Sequence, residues 1–279
     1  MKSIRELYKI GKGPSSSHTI GPERAAQRFL ARAPEAERFR VILYGSLSKT
    51  GVGHGTDRVL KEVLGPERTE IVFSTDDPKD LPHPHTMDFL AYKGEEELQR
   101  MRVMSVGGGD IVVEGEPAAE AEDVYPESSF AEITQFCRWR YITLPEYVEL
   151  NEGPEIWDFL KTIWNAMRRE IQEGLSATGT LPGGLNVVRK AKYLYERTHL
   201  QDIPQVRELQ LVCAYAFAAA EQNADNGTVV TAPTCGSCGV LPAVLLYMQN
   251  KYSLSDDKIA RALGVAGIFG NLIKHNASI

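Results

Sequence analysis

The sequence predicts an α+β chain, with an α/β layer in the first half and an all-α helical region after it. Three observations predict this. Short β-rich runs bounded by Gly, Pro or Asp crowd residues 38–114, apolar residues recur with helical period from residue 154 onward, and 279 residues suffice for about two domains at roughly 150 each.

Taken in order, Pro22 to Ala33 reads as a short amphipathic helix with proline in its first turn. Arg38 to Leu47 and Thr69 to Ser74 read as strands, and between them Thr56 is placed to cap a helix running to Leu64. Thr86 to Tyr92, Arg100 to Val106 and Asp110 to Glu114 follow so closely that antiparallel pairing is expected. Beyond Ser128 the pattern turns helical. Ser129 and Glu132 have capping-box spacing ahead of a segment ending near Cys137, and a hinge is expected in Arg138 to Gly153. Pro154 to Gly174 carries apolar residues at 156, 159, 160, 163, 167 and 171. Gln205 to Asn223 is a helix whose alanines (214, 216, 218–220) suit close packing in a bundle, and Gly239 to Asn250 and Ser255 to Lys274 complete the set.

Apolar residues make up 43% and charged residues 24%, the balance of a chain with a real core. Acidic side chains outnumber basic ones 37 to 31, so no nucleic-acid or anionic-membrane partner is expected. Four cysteines are too few for a disulfide scaffold, and the N-terminus has no continuous apolar stretch, so a cytoplasmic location is expected. The uncharged run Thr228 to Asn250 is long enough to span a bilayer, but its prolines and glycines would break a spanning helix. It reads instead as a buried loop entering a buried helix.

The strongest local signal is Gly13-Pro-Ser-Ser-Ser-His18-Thr-Ile-Gly-Pro22, which runs straight into a helix. Amides and hydroxyls at a helix N-terminus suit a phosphate or carboxylate, and His18 among them could move a proton near neutral pH. The same residues also suit a serine-rich loop that merely caps the helix. Gly51-Val-Gly-His54-Gly-Thr-Asp57 sets a second histidine between glycines, where a turn is the commoner role. His83-Pro-His85 has a spacing that could bind metal, but no third partner lies nearby in sequence. Gly107-Gly108-Gly109 matches neither standard phosphate loop and reads as a sharp turn. Cys235-Gly-Ser-Cys238 fits a redox pair, half of a zinc site, an iron–sulfur ligand turn, or two small buried residues. A helix beginning just after Cys238 would favour its thiolate through the helix dipole.

GPSSSHTIGP, LYGSLSKTGVGHGTD, HPHTMDF, SVGGGDI, LPGGLNVVRKA, NGTVVTAPTCGSCGVLPA and KHNASI, in that order, resemble the bacterial iron–sulfur L-serine dehydratases, the L-serine ammonia-lyases, over nearly the whole chain. The resemblance implies an α/β domain over 1–140, akin to the regulatory substrate-binding domain of some phosphoglycerate dehydrogenases. It further implies a linker at 141–153 and a helical catalytic domain from 154 to 279. It implies conversion of L-serine to pyruvate and ammonia through a [4Fe–4S] cluster whose open iron takes the serine hydroxyl as a Lewis acid. On it, His18 and His54 are the base and its partner, with Lys274 beside them. Ser15, Ser16, Ser17 and Thr19 hold the carboxylate, Asn276 lies by the site, and Cys238 ligates the cluster. Cys235 stands where the family pattern has asparagine and reads as a spare thiol or a second ligand. The resemblance also implies a cysteine-containing continuation after KHNASI, so a C-terminally incomplete enzyme is expected, and a homodimer. Two other functions compete: a small-acid-binding regulatory module, and a thiol or zinc protein built on Cys235 and Cys238.

Overall fold

The computed structural model describes residues 1–75, 81–117, 122–197 and 203–276. The chain divides into two compact units: Lys12–Ala119, and Met1–Gly11 together with Glu120–Ile279. A three-residue strand, β1 (Ile10–Lys12), leads from the N-terminal segment toward the first of these.

The unit Lys12–Ala119 is a sheet with helices on one face. A π-helical turn, Ser16–Ile20, runs into α1 (Gly21–Arg32), with proline in the first turn as expected. Strand β2 (Arg38–Leu43) is followed by α2 (Gly45–His54) and α3 (Thr56–Leu64). Then come β3 (Thr69–Phe73), β4 (Thr86–Lys93), β5 (Glu96–Gly107) and β6 (Asp110–Val113). The sheet order is β3-β2-β4-β5-β6, with β2 and β3 parallel and the other pairs antiparallel. Register places Ile71, Val41, Phe89 and Met101 in one cross-strand row, and Val103 opposite Val113. This face, with Phe29, Leu60 and Leu64 from the helices, forms the core.

The expected strand to Leu47 overran, because the chain breaks at Gly45 (φ +52), where a Cβ would stand 2.5 Å from Pro84 O, and α2 starts there. The glycine-flanked His54 therefore closes a helix rather than sitting in a turn, and Gly55 (φ +71) separates α2 from α3. Thr56 begins α3 without capping it by a side-chain bond. The triple glycine is the β5–β6 turn, with φ of 108, 58 and 81.

The other unit is mainly helical. Its helices are α4 (Phe130–Arg140), α5 (Leu144–Glu152), α6 (Ile156–Ser176), α7 (Ala191–Glu196), α8 (Pro204–Ala224), α9 (Val240–Tyr252) and α10 (Asp256–Asn276). The Ser129–Glu132 capping box forms in full. Residues 141–153, read from sequence as a linker, contain α5. The stripe on α6 is buried at Ile156, Leu160, Ile163, Met167 and Ile171. Ala214, Ala218 and Ala219 of α8 are fully buried against α6. Gly174 permits that crossing, since a Cβ there would lie 2.2 Å from Ala218 O. The run from Thr228 folds as β7 (Thr228–Val230), a turn and α9, and among the described residues no helix is long and apolar enough to cross a membrane.

The N-terminal segment is stitched into this helical unit. Strand β1 pairs with β7, and Lys9 and Thr231 exchange backbone and side-chain bonds of 2.9–3.0 Å. The Tyr8 hydroxyl donates to Leu263 O at 2.9 Å, and the Asn271 amide to Lys2 O at 2.8 Å. Ile4 and Leu7 fill the grooves left by Gly267 and Gly270 on α10.

Candidate functional site

Each unit holds one set of the residues singled out in the sequence. In the sheet unit, the turn before α1 buries His18 at 7% exposure, and its ring meets side chains of α2 and of the segment before β4. Ser15 Oγ lies 3.2 Å from Nδ1, while Thr50 Oγ1 at 2.9 Å and Ser46 Oγ at 3.3 Å lie on the Nε2 side. The Thr50 hydroxyl donates its one proton to Ser46 O at 2.8 Å, so it accepts from His18 Nε2–H. The lone pair of the neutral ring is therefore on Nδ1, facing the Ser15 hydroxyl.

His54, at the end of α2, stacks on His18 with centroids 4.3 Å apart, and its Nδ1–H donates to Thr50 O at 2.8 Å. A third ring joins these two. His85 meets the His18 ring edge-on at 4.9 Å, and His83 lies 5.2 Å from His85. The segment before β4 is tied to the start of α2 by Ser46 N donating to Pro84 O and Tyr44 N to Thr86 O. In the sequence His83 and His85 read as an incomplete metal pair and as part of the HPHTMDF block, because the strand order that delivers them to His18 is a long-range property.

Burial, then the neighbouring His54 and His85, push the His18 pKa down to about 4, so the ring is a neutral proton acceptor throughout the physiological range. Burial and His83 also lower His85. Thr56 contributes by donating its hydroxyl to His18 O at 2.7 Å, a better-defined role than the cap expected of it. Beside the array lies an open cleft of about 520 Å³ lined by Gly45, Ser46, Lys49, Thr50, Leu81 and Pro84. Of the expected carboxylate holders, Ser15 and Ser17 are half-buried and Ser16 is buried. Thr19 is fully buried, and its hydroxyl bonds the carbonyls of Ser15 and Lys12.

In the helical unit, Cys235 and Cys238 sit in a tight turn between β7 and α9, each 1% exposed. Thr234 and Ser237 close the turn by mutual side-chain bonds, and Cys238 N donates to Cys235 O at 3.2 Å. The Cys238 thiol points toward Ala219 O of α8 at 3.9 Å. Helix proximity does not win here. Burial pushes the Cys238 thiol far above its usual range, with Glu170 and Cys235 adding to the effect, opposite in direction to the helix dipole.

Glu170 escaped the sequence reading although a signal was present: it stands seven residues after Ile163 on the buried stripe of α6. It is 1% exposed, accepts Val230 N at 2.9 Å through Oε2, and leaves Oε1 without a partner. Burial raises its pKa to about 8. It borders a cavity of about 340 Å³ lined also by Thr162, Asn165, Arg169 and Glu173. Lys274 and Asn276 lie in the last turn of α10, and the Asn276 amide donates to Leu272 O at 2.9 Å and Ser128 O at 3.3 Å.

An iron–sulfur cluster with one open iron needs three thiolates. The turn offers two thiols, and Cys137 in α4 and Cys213 in α8 are the remaining cysteines. Among the described residues no group of three or more His, Cys, Asp or Glu side chains is arranged to hold a metal ion. These residues do not complete the cluster's donor set.

Comparison with known proteins places the chain among relatives. Residues 81–279 match the family model for the serine dehydratase alpha chain and residues 3–71 that for the beta chain. An L-serine dehydratase of Streptomyces coelicolor is 36% identical over 99% of this chain and 72% of its own length. L-serine dehydratase 1 of Escherichia coli K12 is 34% identical over 100% of this chain and 73% of its own, and an L-serine dehydratase of Haemophilus influenzae is 32% identical with the same coverage.

Proposed function

The chain belongs to the L-serine dehydratase family, and from that membership we propose that it splits L-serine into pyruvate and ammonia, with His18 as the proton acceptor. What supports the role of His18 is one observation: a buried, neutral imidazole whose Nδ1 lone pair faces a hydroxyl-lined turn beside an open cleft. The Ser15 and Ser17 hydroxyls, with Ser46 and the Lys49 ammonium on the cleft wall, suit the substrate carboxylate. Thr19 is already engaged by backbone carbonyls.

His18 Nδ1 takes the proton from Cα, the Cα–H electron pair becomes the Cα–Cβ double bond, and the Cβ–O bond breaks. The hydroxyl leaves as water on gaining a proton, so the protein's proton count is unchanged. The aminoacrylate left behind tautomerises to an imine and takes up water to give pyruvate and ammonia. His54 stacks on the acceptor and fixes the plane in which its lone pair lies. The family resemblance adds an iron–sulfur group, and Cys238 with Cys235 beside it are the thiols we assign toward it. Two thiols fall short of the three that an open-iron cluster needs.

The experiment measures pyruvate formation from L-serine by the full chain after anaerobic incubation with iron and sulfide, beside serine binding by calorimetry. His18→Asn should lower turnover roughly a hundredfold or more, the usual scale for losing a general base, with serine binding retained. Unchanged turnover in that variant would remove His18 from the reaction.

A further inference from the structure

We infer that His85 is a positioning residue for the proton acceptor: seated edge-on against His18, it holds that ring in place and keeps it unprotonated. The inference rests on the reading of His18 as acceptor, but its test does not need turnover. Three imidazoles share one small volume, His54 stacked at 4.3 Å and His85 edge-on at 4.9 Å with ring planes at 68°. At such separations two positive rings repel, and burial of His18 removes the water that would screen them. The array therefore accommodates one proton more readily than two, which is what an acceptor requires before the substrate arrives.

His85 is itself firmly held. Its Nδ1–H donates to Ser105 O at 3.3 Å, Ser105 N donates to His85 O at 3.0 Å, and its own N–H donates to His83 Nδ1 at 3.1 Å. This fixes the tautomers, with the proton on Nδ1 of His85 and the Nδ1 lone pair of His83 engaged. The other elements packed on the His18 turn bring different groups. Helix α2 brings His54 and the cleft residue Lys49, and α3 brings Thr56 and Asp57. Strand β5 brings Ser105, and α1 brings Glu23 and Arg24, of which Arg24 pairs with Asp110 at 3.3 Å. Of the titratable ones, His54 and His85 are the two whose charge acts on His18 in the same direction as its burial. His54 was visible in the sequence as a partner. His85 adds a second one from a different part of the sheet.

The experiment titrates the histidine ring protons of the full chain by NMR, with His18 assigned from His18→Asn, in the wild type, His85→Asn and His85→Arg. Replacing a ring by a neutral amide removes a repelling proton site, whereas arginine installs a permanent charge. The His18 midpoint should rise by about half a pH unit or more in His85→Asn and fall in His85→Arg. Shifts of both variants in one direction would mean that His85 acts only through packing, and no shift in either would mean that it does not act on His18; both overturn the inference. If the opposed shifts appear while His18→Asn retains full pyruvate formation, the coupling stands and the proposed role of His18 falls.

Discussion

Adding one methyl group at Gly174 should loosen the helical unit. A Cβ there would lie 2.2 Å from Ala218 O, 2.6 Å from its carbonyl carbon and 2.8 Å from its Cα. All three are backbone atoms, so no rotamer change can make room, and α6 and α8 must separate by about an ångström. Overpacking of this kind costs about 1–3 kcal/mol, and the rigid neighbour puts Gly174→Ala at the upper end. Alanine in place of glycine inside a helix returns about 1 kcal/mol. The net is a loss of about 2 kcal/mol, felt also by Ile171, Tyr215 and Ala219, which pack around the same crossing. The assay is urea unfolding followed by tryptophan fluorescence. All three tryptophans, at 139, 157 and 164, lie in the helical unit, so the signal reports that unit alone. Gly53→Ala is the control, because nothing lies within 4 Å of a Cβ at that helical position in the sheet unit. It should leave the tryptophan transition where it was. A Gly174→Ala midpoint equal to or above the wild type would refute the close-crossing argument.

Ser129→Ala removes a complete capping box and should cost about 1 kcal/mol in the same fluorescence assay. His18 has its pKa lowered from 6.5 to about 4 on folding, so its contribution is full above pH 6.5 and is lost as pH falls from there toward 4. The full shift would be worth about 3 kcal/mol and solvent screening of the ring reduces it, so circular-dichroism melts of His18→Gln should show a shallower loss of stability across this window. Glu170 has the opposite sign. Its pKa is raised from 4.5 to about 8, so its contribution is full below pH 4.5 and is lost as pH rises toward 8. Glu170→Gln keeps an acceptor for Val230 N–H and cannot ionise, so at pH 9 it should unfold at higher urea than the wild type by ~1 kcal/mol or more.

Much of this was legible in the residues, and the failures have physical causes. The stripe on α6, the Ser129–Glu132 box and the alanine-rich face of α8 are local patterns, and each folds as its spacing requires. GSLSKTGVGH resisted, because its glycines weaken a helix locally and only the contact of Gly45 with Pro84 O fixes where α2 starts. His18 and His54 stood out in their motifs, and their rings do meet. His85 could not be found this way, since sheet order brings it to His18 across 67 residues of chain. For the Cys238 thiol the sequence offered two opposed signals, a helix start and a buried run from Thr228 to Asn250, and burial is the stronger one.

The sheet unit is an insertion: the chain starts one unit, leaves it to build another, and comes back. That order has a consequence during synthesis. The segment that ends in Tyr8 and Lys9 leaves the ribosome well ahead of its hydrogen-bond partner Leu263, which lies 255 positions later. At about 5–20 residues per second, Ile4, Leu7 and Tyr8 wait roughly 13–50 s for the helix that covers them. The residues of the sheet unit are all synthesised within that interval. These apolar residues are thus made early in their unit and sheltered late, and a nascent chain stalled before α10 would expose them to chaperones and proteases alike.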